Sequence, residues 1–114
     1  MKKIRVSKKF IYLISPPKID NKNFFDQLEA VFKTKKISFF QLRLKKTPKK
    51  KILYIGKKVV GLCKKYDVKF IINDDPHLAK QINSDGCHIG QKDMSIHKVR
   101  KILNNKIVGI TCHN

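Results

Sequence analysis

Apolar runs typical of β-strands alternate with stripes typical of helices, and this alternation constrains the fold more than any other feature. Residues 10–15 form a continuous apolar run that ends at Pro16-Pro17, as expected of a strand buried on both faces. From Asn23 onward the apolar residues recur at three and four positions, which predicts a helix with one buried stripe. Its members are Phe24, Phe25, Leu28, Val31 and Phe32.

The same two periods continue to the end of the sequence. Strands are predicted at residues 37–42, 68–72, 86–89 and 107–111, and helices at about 48–65, at 76–83 and after Ser95. Thr47-Pro48 opens the second helix, which is expected to bury Ile52, Val59, Val60 and Cys63. The predicted order is β-α-β-α-β-α-β-α-β.

Strands joined through helices predict a parallel sheet covered by helices. Two α/β architectures fit, an open doubly wound sheet of five strands and the first five strands of a (βα)8 TIM barrel. Pro16-Pro17 stand where a Gly-rich phosphate loop would follow the first strand, which weakens the dinucleotide-binding version of the open sheet. Polar clusters after the later strands favour the partial barrel, because a barrel's active site gathers at the carboxyl ends of its strands. The chain has 114 residues, whereas a complete barrel needs about 250.

Several other classes of protein are disfavoured. No apolar stretch approaches the roughly 20 residues of a membrane span, and Lys8-Lys9 interrupt what would be the apolar part of a signal peptide. We therefore expect a cytoplasmic protein. The three cysteines, Cys63, Cys87 and Cys112, are odd in number and form no Cys-x-x-Cys pair, so they predict neither a disulfide framework nor a zinc site.

The formal net charge of +19 raises the alternative of a basic nucleic-acid-binding module. Of 27 basic residues, however, only Arg5, Arg43 and Arg100 are arginine, whose planar fork suits phosphates and bases better than lysine does. The lysines are spread over every segment and are not interleaved with aromatic residues. A solvated lysine surface is the favoured interpretation, with no specific nucleic-acid or membrane partner.

Polar clusters follow four of the predicted strands and indicate one site at a shared sheet edge. They are Gln41 to Lys45, Asn73 to Asp75, Gly90 to Asp93 and Gly109 to Asn114. Asp74 and Asp93 follow neighbouring strands about 5 Å apart, so their carboxylates can converge on Mg²⁺. Arg43 and Lys45 supply cations for a phosphate anion, and Asn73 and Thr111 add neutral hydrogen bonds.

Each of these residues also has a structural interpretation. Asp75 precedes Pro76 as a helix cap would, and Asp93 suits a turn before the capped fourth helix. Gln41 and Arg43 alternate on one strand face and would also suit a buried polar pair. His88 on a short strand is more typical of a packed core histidine than of a catalyst.

The ordered motifs resemble the N-terminal half of the thiamine phosphate synthase/TenI family over residues 11–114. The resemblance is carried by Ile11-Tyr12-Leu13-Ile14, Gln41-Leu42-Arg43-Leu44-Lys45, Ile71-Ile72-Asn73-Asp74 with Leu78-Ala79, Asp85-Gly86-Cys87-His88-Ile89-Gly90-Gln91-Lys92-Asp93 and Gly109-Ile110-Thr111. It implies a (βα)8 barrel that joins 4-amino-5-hydroxymethyl-2-methylpyrimidine diphosphate to a thiazole phosphate, forming thiamine phosphate and pyrophosphate.

The resemblance also implies roles for individual residues. Asp74 and Asp93 would bind Mg²⁺, and the catalytic residues would be Arg43, Lys45 and Thr111. The pyrimidine diphosphate would be contacted by Gln41, Leu42, Arg43, Leu44, Lys45, Asn73 and Thr111.

Departures from the family pattern keep alternatives open. Ser15-Pro16-Pro17 stand where Thr-Asp is common, the acid frequent at position 44 is missing, and Asp75 replaces a frequent arginine. A TenI-like thiazole tautomerase or a non-catalytic paralogue is therefore the second interpretation. We expect residues 1–114 to form an incomplete barrel domain, with a basic extension at 1–9 and without the family's C-terminal half. Such a chain is expected to be inactive alone.

Overall fold

Helices and strands alternate as the sequence predicts. The structure is a computed structural model that describes residues 11–19, 22–90 and 96–111, and at 110 and 111 only the backbone. Within those ranges the order is β-α-β-α-β-α-β-α-β, so the predicted order is confirmed. The elements are β1 Ile11–Ile14, α1 Phe24–Phe32, β2 Ile37–Leu42, α2 Lys49–Lys65, β3 Lys69–Asn73, α3 Pro76–Ile82, β4 Gly86–Gly90, α4 Ile96–Leu103 and β5 Ile107–Thr111.

The five strands form one parallel sheet whose spatial order, β1-β2-β3-β4-β5, is also the order along the chain. Right-handed crossovers that always advance in one direction place every helix on the same face of the sheet. A doubly wound sheet instead reverses its strand order at a switch point. The α/β arrangement of a partial barrel is therefore confirmed, and the open doubly wound alternative is wrong.

The hydrophobic core lies between the sheet and the helices. Phe40 and Phe70 stack with ring centroids 6.3 Å apart, and Phe32 of α1 meets Phe40 edge-on at 5.9 Å. Helix α3 and helix α2 approach closely at Gly56, where an added Cβ would lie 2.6 Å from Cδ1 of Ile82. Other side chains buried in this core are Leu28, Leu42, Ile55, Val59, Cys63, Ile72, Leu78, Ala79, Cys87, Ile89, Val99 and Leu103.

The prediction that the first strand is buried on both faces is wrong. Tyr12 and Ile14 are 44% and 48% exposed. Within the described residues β1 is an edge strand, and the helices cover one face of the sheet.

The prediction for α2 is confirmed in part. Val59 and Cys63 are buried as predicted, whereas Ile52 and Val60 are half-buried. The buried stripe also includes Ile55 and Gly56, because the contact with α3 draws the Gly56 side of the helix inward.

Helix α3 has defined signals at both ends. Asp75 is its N-cap, and the Asp75 Oδ1 atom accepts a hydrogen bond of 3.0 Å from the backbone N–H of Leu78. The predicted cap is thereby confirmed. At the other end Asn83 adopts a left-handed conformation with φ of 64°, which asparagine tolerates better than most residues. The following Asp85 accepts from the backbone N–H of Phe70 at 2.7 Å and so fastens the amino end of β3.

None of the helices within the described ranges combines the length and the apolar character that a membrane crossing requires. The predictions for the basic extension at residues 1–9 and for Phe10, Asp93, Ser95 and Cys112 lie outside the described residues.

Candidate functional site

The face of the sheet away from the helices encloses a hollow of about 700 Å³. Its walls combine apolar side chains near the middle of the strands with polar side chains near their carboxyl ends. The lining residues are Tyr12, Ile14, Phe39, Gln41, Arg43, Ile71, Asn73, Asp74, His88, Gly90, Ile107 and Gly109.

Strand register explains why these residues meet. Gln41 pairs with Ile71, and Asn73 pairs with His88, so side chains of neighbouring strands stand side by side on one face. Because side chains alternate between the two faces of a strand, Gln41 and Asn73 point away from the helix-side core while Leu42 points into it. His88 lies beside Gly109 of β5, where an added Cβ would be 2.7 Å from the His88 Nδ1 atom.

A series of three side-chain hydrogen bonds crosses this face from β1 to the end of β3. The Tyr12 hydroxyl donates to Oε1 of Gln41 at 3.1 Å, and Nε2 of Gln41 donates to Oδ1 of Asn73 at 2.8 Å. Nδ2 of Asn73 then donates to Oδ2 of Asp74 at 2.8 Å. Gln41 is only 3% exposed, so its amide depends on these protein partners.

Asp74 leaves the strand in an unusual backbone conformation. Its φ of 67° lies in the left-handed region, and its backbone N–H donates to the carbonyl oxygen of His88 at 2.6 Å. Asp75, the next residue, turns to cap α3 instead. Two consecutive aspartates therefore have separate tasks, since the Asp74 side chain lines the hollow and the Asp75 side chain holds a helix.

Backbone contacts with the loop after β1 hold the segment that follows β2. The Arg43 N–H donates to Oγ of Ser15 at 2.9 Å, and the Lys45 N–H donates to the carbonyl oxygen of Pro17 at 2.9 Å. Ser15 in turn donates its backbone N–H to the carbonyl oxygen of Gln41 at 2.9 Å. This ladder fixes the backbone from which the exposed Arg43 side chain reaches the rim of the hollow.

The structure brings together some of the predicted site residues and separates others. Gln41, Arg43, Asn73 and Asp74 all line the hollow. Leu42 is 2% exposed within the helix-side core, and Leu44 packs against that core.

The remaining predicted site residues are Lys45, Thr111 and Asp93. Lys45 is exposed and is not part of the lining. The Thr111 backbone pairs with Gly90 at the carboxyl end of β5, which is the edge of the sheet that carries Asp74. Asp93 is outside the described residues.

Three residues near the site were not given a role from the sequence. Tyr12 stands two residues before Ile14 on the same strand face, and Ser15 is 7% exposed at the end of β1. His88 is half-buried in the hollow, so its interpretation as a packed core histidine is wrong. The alternation of β1 places Tyr12 and Ile14 on one face, but only the structure, in which they pair with Phe39 and Gln41 and line the hollow, shows that this face is the open one.

Magnesium is the ion that the sequence predicts, and the donor chemistry fits it. Mg²⁺ is commonly held by one or two carboxylates, with water and phosphate oxygens completing its coordination. Asp74 supplies one exposed carboxylate beside the neutral amide of Asn73. Within residues 11–19, 22–90 and 96–111 no group of three or more His, Cys, Asp or Glu side chains is placed to hold a metal.

The two described cysteines are thiols of the core. Cys63 and Cys87 are free, buried side chains, and loss of solvent raises the pKa of each thiol to about 12. A thiol with so high a pKa is a poor nucleophile at neutral pH. Both cysteines therefore belong to the packing of the helix-side core.

Comparisons with known proteins agree on one family. A family model described as thiamine monophosphate synthase matches residues 11–114. A thiamine-phosphate synthase of Pelagibacter ubique is 61% identical over the whole chain, which covers 55% of that relative. The corresponding protein of Rhodospirillum centenum is 38% identical over 91% of the chain and 51% of its own length.

A solved structure gives the same result. The thiamine phosphate pyrophosphorylase of Pyrococcus furiosus superposes with a TM-score of 0.77 and 25% sequence identity, over 90% of this chain and 49% of that one. The chain thus spans about half the length of the relatives it matches.

Proposed function

Because the chain belongs to the thiamine monophosphate synthase family, we propose that its open sheet face forms the diphosphate and magnesium part of a thiamine phosphate synthase site. The substrate of this part is 4-amino-5-hydroxymethyl-2-methylpyrimidine diphosphate, and the second substrate is a thiazole phosphate. The convergence of Gln41, Arg43, Asn73 and Asp74 on one hollow is the observation that carries the proposal.

The proposed reaction replaces one bond to the pyrimidine methylene carbon by another. The carbon–oxygen bond to the diphosphate breaks, and its electron pair leaves with pyrophosphate. The thiazole nitrogen then supplies the electron pair of the new carbon–nitrogen bond, which gives thiamine phosphate. Catalysis of such a step depends on groups that stabilise the negative charge developing on the leaving oxygen.

The chain's cations serve that purpose in the proposal. Arg43 is always charged and presents a planar set of donors that matches phosphate oxygens. Its side chain is exposed at the rim of the hollow, and its backbone is held by Ser15. Lys45 and Thr111 are proposed to contact the same diphosphate from the carboxyl ends of β2 and β5, and the backbone of Leu42 and Leu44 to border it.

Neutral donors and acceptors orient the remainder of this substrate. Gln41 and Asn73 lie in adjacent strands, where Nε2 of Gln41 donates to Oδ1 of Asn73 at 2.8 Å, and neither side chain adds charge to the site. We assign Asp74 and Asp93 to Mg²⁺, which would neutralise the diphosphate and so make it a better leaving group. The pairing of one exposed carboxylate with a hydrogen-bonding amide supports the assignment of Asp74.

Isothermal titration of the chain with inorganic pyrophosphate, with and without Mg²⁺, tests the proposal. We expect binding that needs Mg²⁺ and that weakens at least about tenfold in Asp74→Asn, because the metal loses an ionised ligand. Asparagine tolerates the left-handed backbone at this position, so the fold should persist.

Asp67→Asn is the matched control. Asp67 is also an exposed aspartate with positive φ, at 56°, but it lies between α2 and β3 at the opposite edge of the sheet. Equal binding by wild type and Asp74→Asn would contradict the proposal. Loss of binding in both variants would also count against it, because the loss would then result from the change in net charge and not from the position of Asp74 in the hollow.

Full activity is a separate measurement, because the chain spans about half the length of its relatives. A coupled assay for thiamine phosphate with residues 1–114 tests the prediction that this chain forms none alone. If the chain is instead a TenI-like or non-catalytic relative, pyrophosphate binding should be the same with and without the Asp74 carboxylate. A nucleic-acid-binding module predicts affinity for DNA or RNA that falls steeply with salt.

A further inference from the structure

The hydroxyl of Tyr12 lies at one end of the hydrogen-bonded series that ends on the Asp74 carboxylate. Tyr12 belongs to β1, two strands away from β3, and it lines the hollow that holds Gln41 and Asn73. Its ring stacks on Phe39, with centroids 5.6 Å apart and planes inclined at 21°. The aromatic contact holds the ring, and the ring holds the hydroxyl against Gln41.

The series has only one direction that satisfies every group. An ionised carboxylate is an acceptor only, so the NH₂ of Asn73 must face Asp74. The carbonyl oxygen of Asn73 then faces the NH₂ of Gln41, which leaves the Gln41 carbonyl oxygen to accept from a hydroxyl. Reversal of the two amides would turn the Asn73 oxygen toward the carboxylate, and two acceptors would repel one another.

Tyr12 completes this arrangement. Gln41 is 3% exposed, so its Oε1 atom has little access to water and needs a donor from the protein. The Tyr12 hydroxyl is that donor. Without it, Oε1 of Gln41 would lose its donor, so the observed orientation of the Gln41 amide, and with it that of Asn73 beside Asp74, would be favoured less over the reversed one.

We propose that Tyr12 is a positioning residue, which fixes the Gln41 and Asn73 amides so that Asp74 is presented in one orientation to a cation and diphosphate. The inference rests on the proposed function for its ligand, but the orientation of the amides is a property of the chain alone. Tyr12 acts through Gln41 and needs no contact with the reacting atoms.

The variant Tyr12→Phe tests this by removing the hydroxyl and keeping the ring. Tyr12 is 44% exposed, so the variant should fold as the wild type does. The first measurement is the NMR spectrum of the side-chain NH₂ groups of Gln41 and Asn73. We expect both pairs of signals to shift, including those of Asn73, which Tyr12 does not touch. The second is the affinity for Mg²⁺ and pyrophosphate, which should fall about two- to tenfold for one lost hydrogen bond.

Tyr66→Phe is the matched control, because it also removes a hydrogen-bonded hydroxyl. The Tyr66 hydroxyl donates to Glu29 at 2.6 Å, between α2 and α1 and on the other side of the sheet. We expect this variant to leave the two side-chain amides and the affinity unchanged. Unchanged Asn73 signals in Tyr12→Phe would overturn the proposal.

The two measurements separate this inference from the proposed function. Absence of pyrophosphate binding by the wild type would refute the proposed function, and the amide signals would still decide whether Tyr12 orients Asn73. If the amide signals shift in Tyr12→Phe but the variant binds Mg²⁺ and pyrophosphate as tightly as the wild type does, the positioning role is overturned, because the series would then serve only to satisfy a buried amide.

Discussion

The two faces of the sheet are built from the same five strands but have opposite characters. On the helix side, Phe40, Phe70 and Ile72 are each at most 1% exposed, and they pack with other apolar side chains and two buried thiols. On the open side, Tyr12 and Ile14 are nearly half exposed, and polar side chains bond to one another across strands. One face therefore supplies the free energy of folding, while the other can present groups to a ligand.

Replacement of one phenylalanine on each face should give the largest difference. Phe70→Ala removes a fully buried ring and should cost about 3–5 kcal/mol, from lost burial and the cavity left behind. Phe39→Ala, on the half-buried open face, should cost about half as much or less, since less surface returns to water. Urea unfolding followed by circular dichroism measures both. Equal losses would show that the open face contributes as much to stability as the core.

Alkaline pH should destabilise the helix-side face through its thiols. The pKa of Cys63 and that of Cys87 are each raised to about 12 by burial, whereas an unfolded cysteine titrates near its ordinary value. The unfolded chain therefore loses these protons first, and the stability that the neutral thiols contribute falls as pH rises from about 9 toward 12. The loss is at most about 1.4 kcal/mol per pH unit for each thiol.

Urea midpoints at pH 8 and pH 10 measure this dependence, and Cys87→Ala is the control because it removes one of the two buried thiols described above. The variant should lose less stability over this interval than the wild type does. In the folded wild type Cys63 and Cys87 should also react slowly with a thiol reagent at pH 8, as mass spectrometry of the labelled peptides would show. An identical pH dependence of the two proteins would rule out the buried Cys87 thiol as a cause.

Much of the difference between the two faces of the sheet was predictable from the sequence, because a strand places alternate residues on opposite faces. The bounds predicted for β2 and β5 are those observed, and Asp75 is the predicted cap. Alternation also separates Leu42 and Leu44 from Gln41 and Arg43, although a contiguous motif suggests one surface. Because the five residues from Gln41 to Lys45 form one motif, all of them were predicted to contact the pyrimidine diphosphate.

The predictions about β1 and His88 were wrong because they depend on which face of the sheet the helices cover. A run such as residues 10–15 has the same composition whether one or both faces are buried, so the exposure of Tyr12 was not predictable. The role of Tyr12 depends on its hydrogen bond to Gln41, a residue 29 positions away. Likewise, alternation in β4 places His88 on the face opposite to Cys87 and Ile89, but only the burial of those two residues by the helices shows that the His88 face is the open one.

Asp74 and Asp75 are adjacent in the chain, but the first lines the hollow and the second caps a helix, so they allow the ligand-facing and stabilising roles to be compared directly. Asp75→Ala removes the side-chain cap of α3 and should cost about 1 kcal/mol of stability, with no more than a small change in the affinity for Mg²⁺ and pyrophosphate. Loss of its contact with Lys49, which is 82% exposed, should add little. Urea unfolding and titration of the same preparation measure both properties. A tenfold loss of affinity in Asp75→Ala would place this aspartate in the ligand site as well.

The smallest effect should come from Ser15, whose hydroxyl links the end of β1 to the segment that follows β2. Ser15→Ala removes the acceptor of the Arg43 backbone N–H and should weaken pyrophosphate binding about two- to fivefold, as expected for one modest hydrogen bond. Ser15→Thr keeps a hydroxyl at the same place and should bind as the wild type does. Ser38→Ala, which removes a half-buried hydroxyl elsewhere on the sheet, is the control for stability. If Ser15→Thr binds as weakly as Ser15→Ala, the hydroxyl is not what holds Arg43, and packing around the 7% exposed side chain must do so instead.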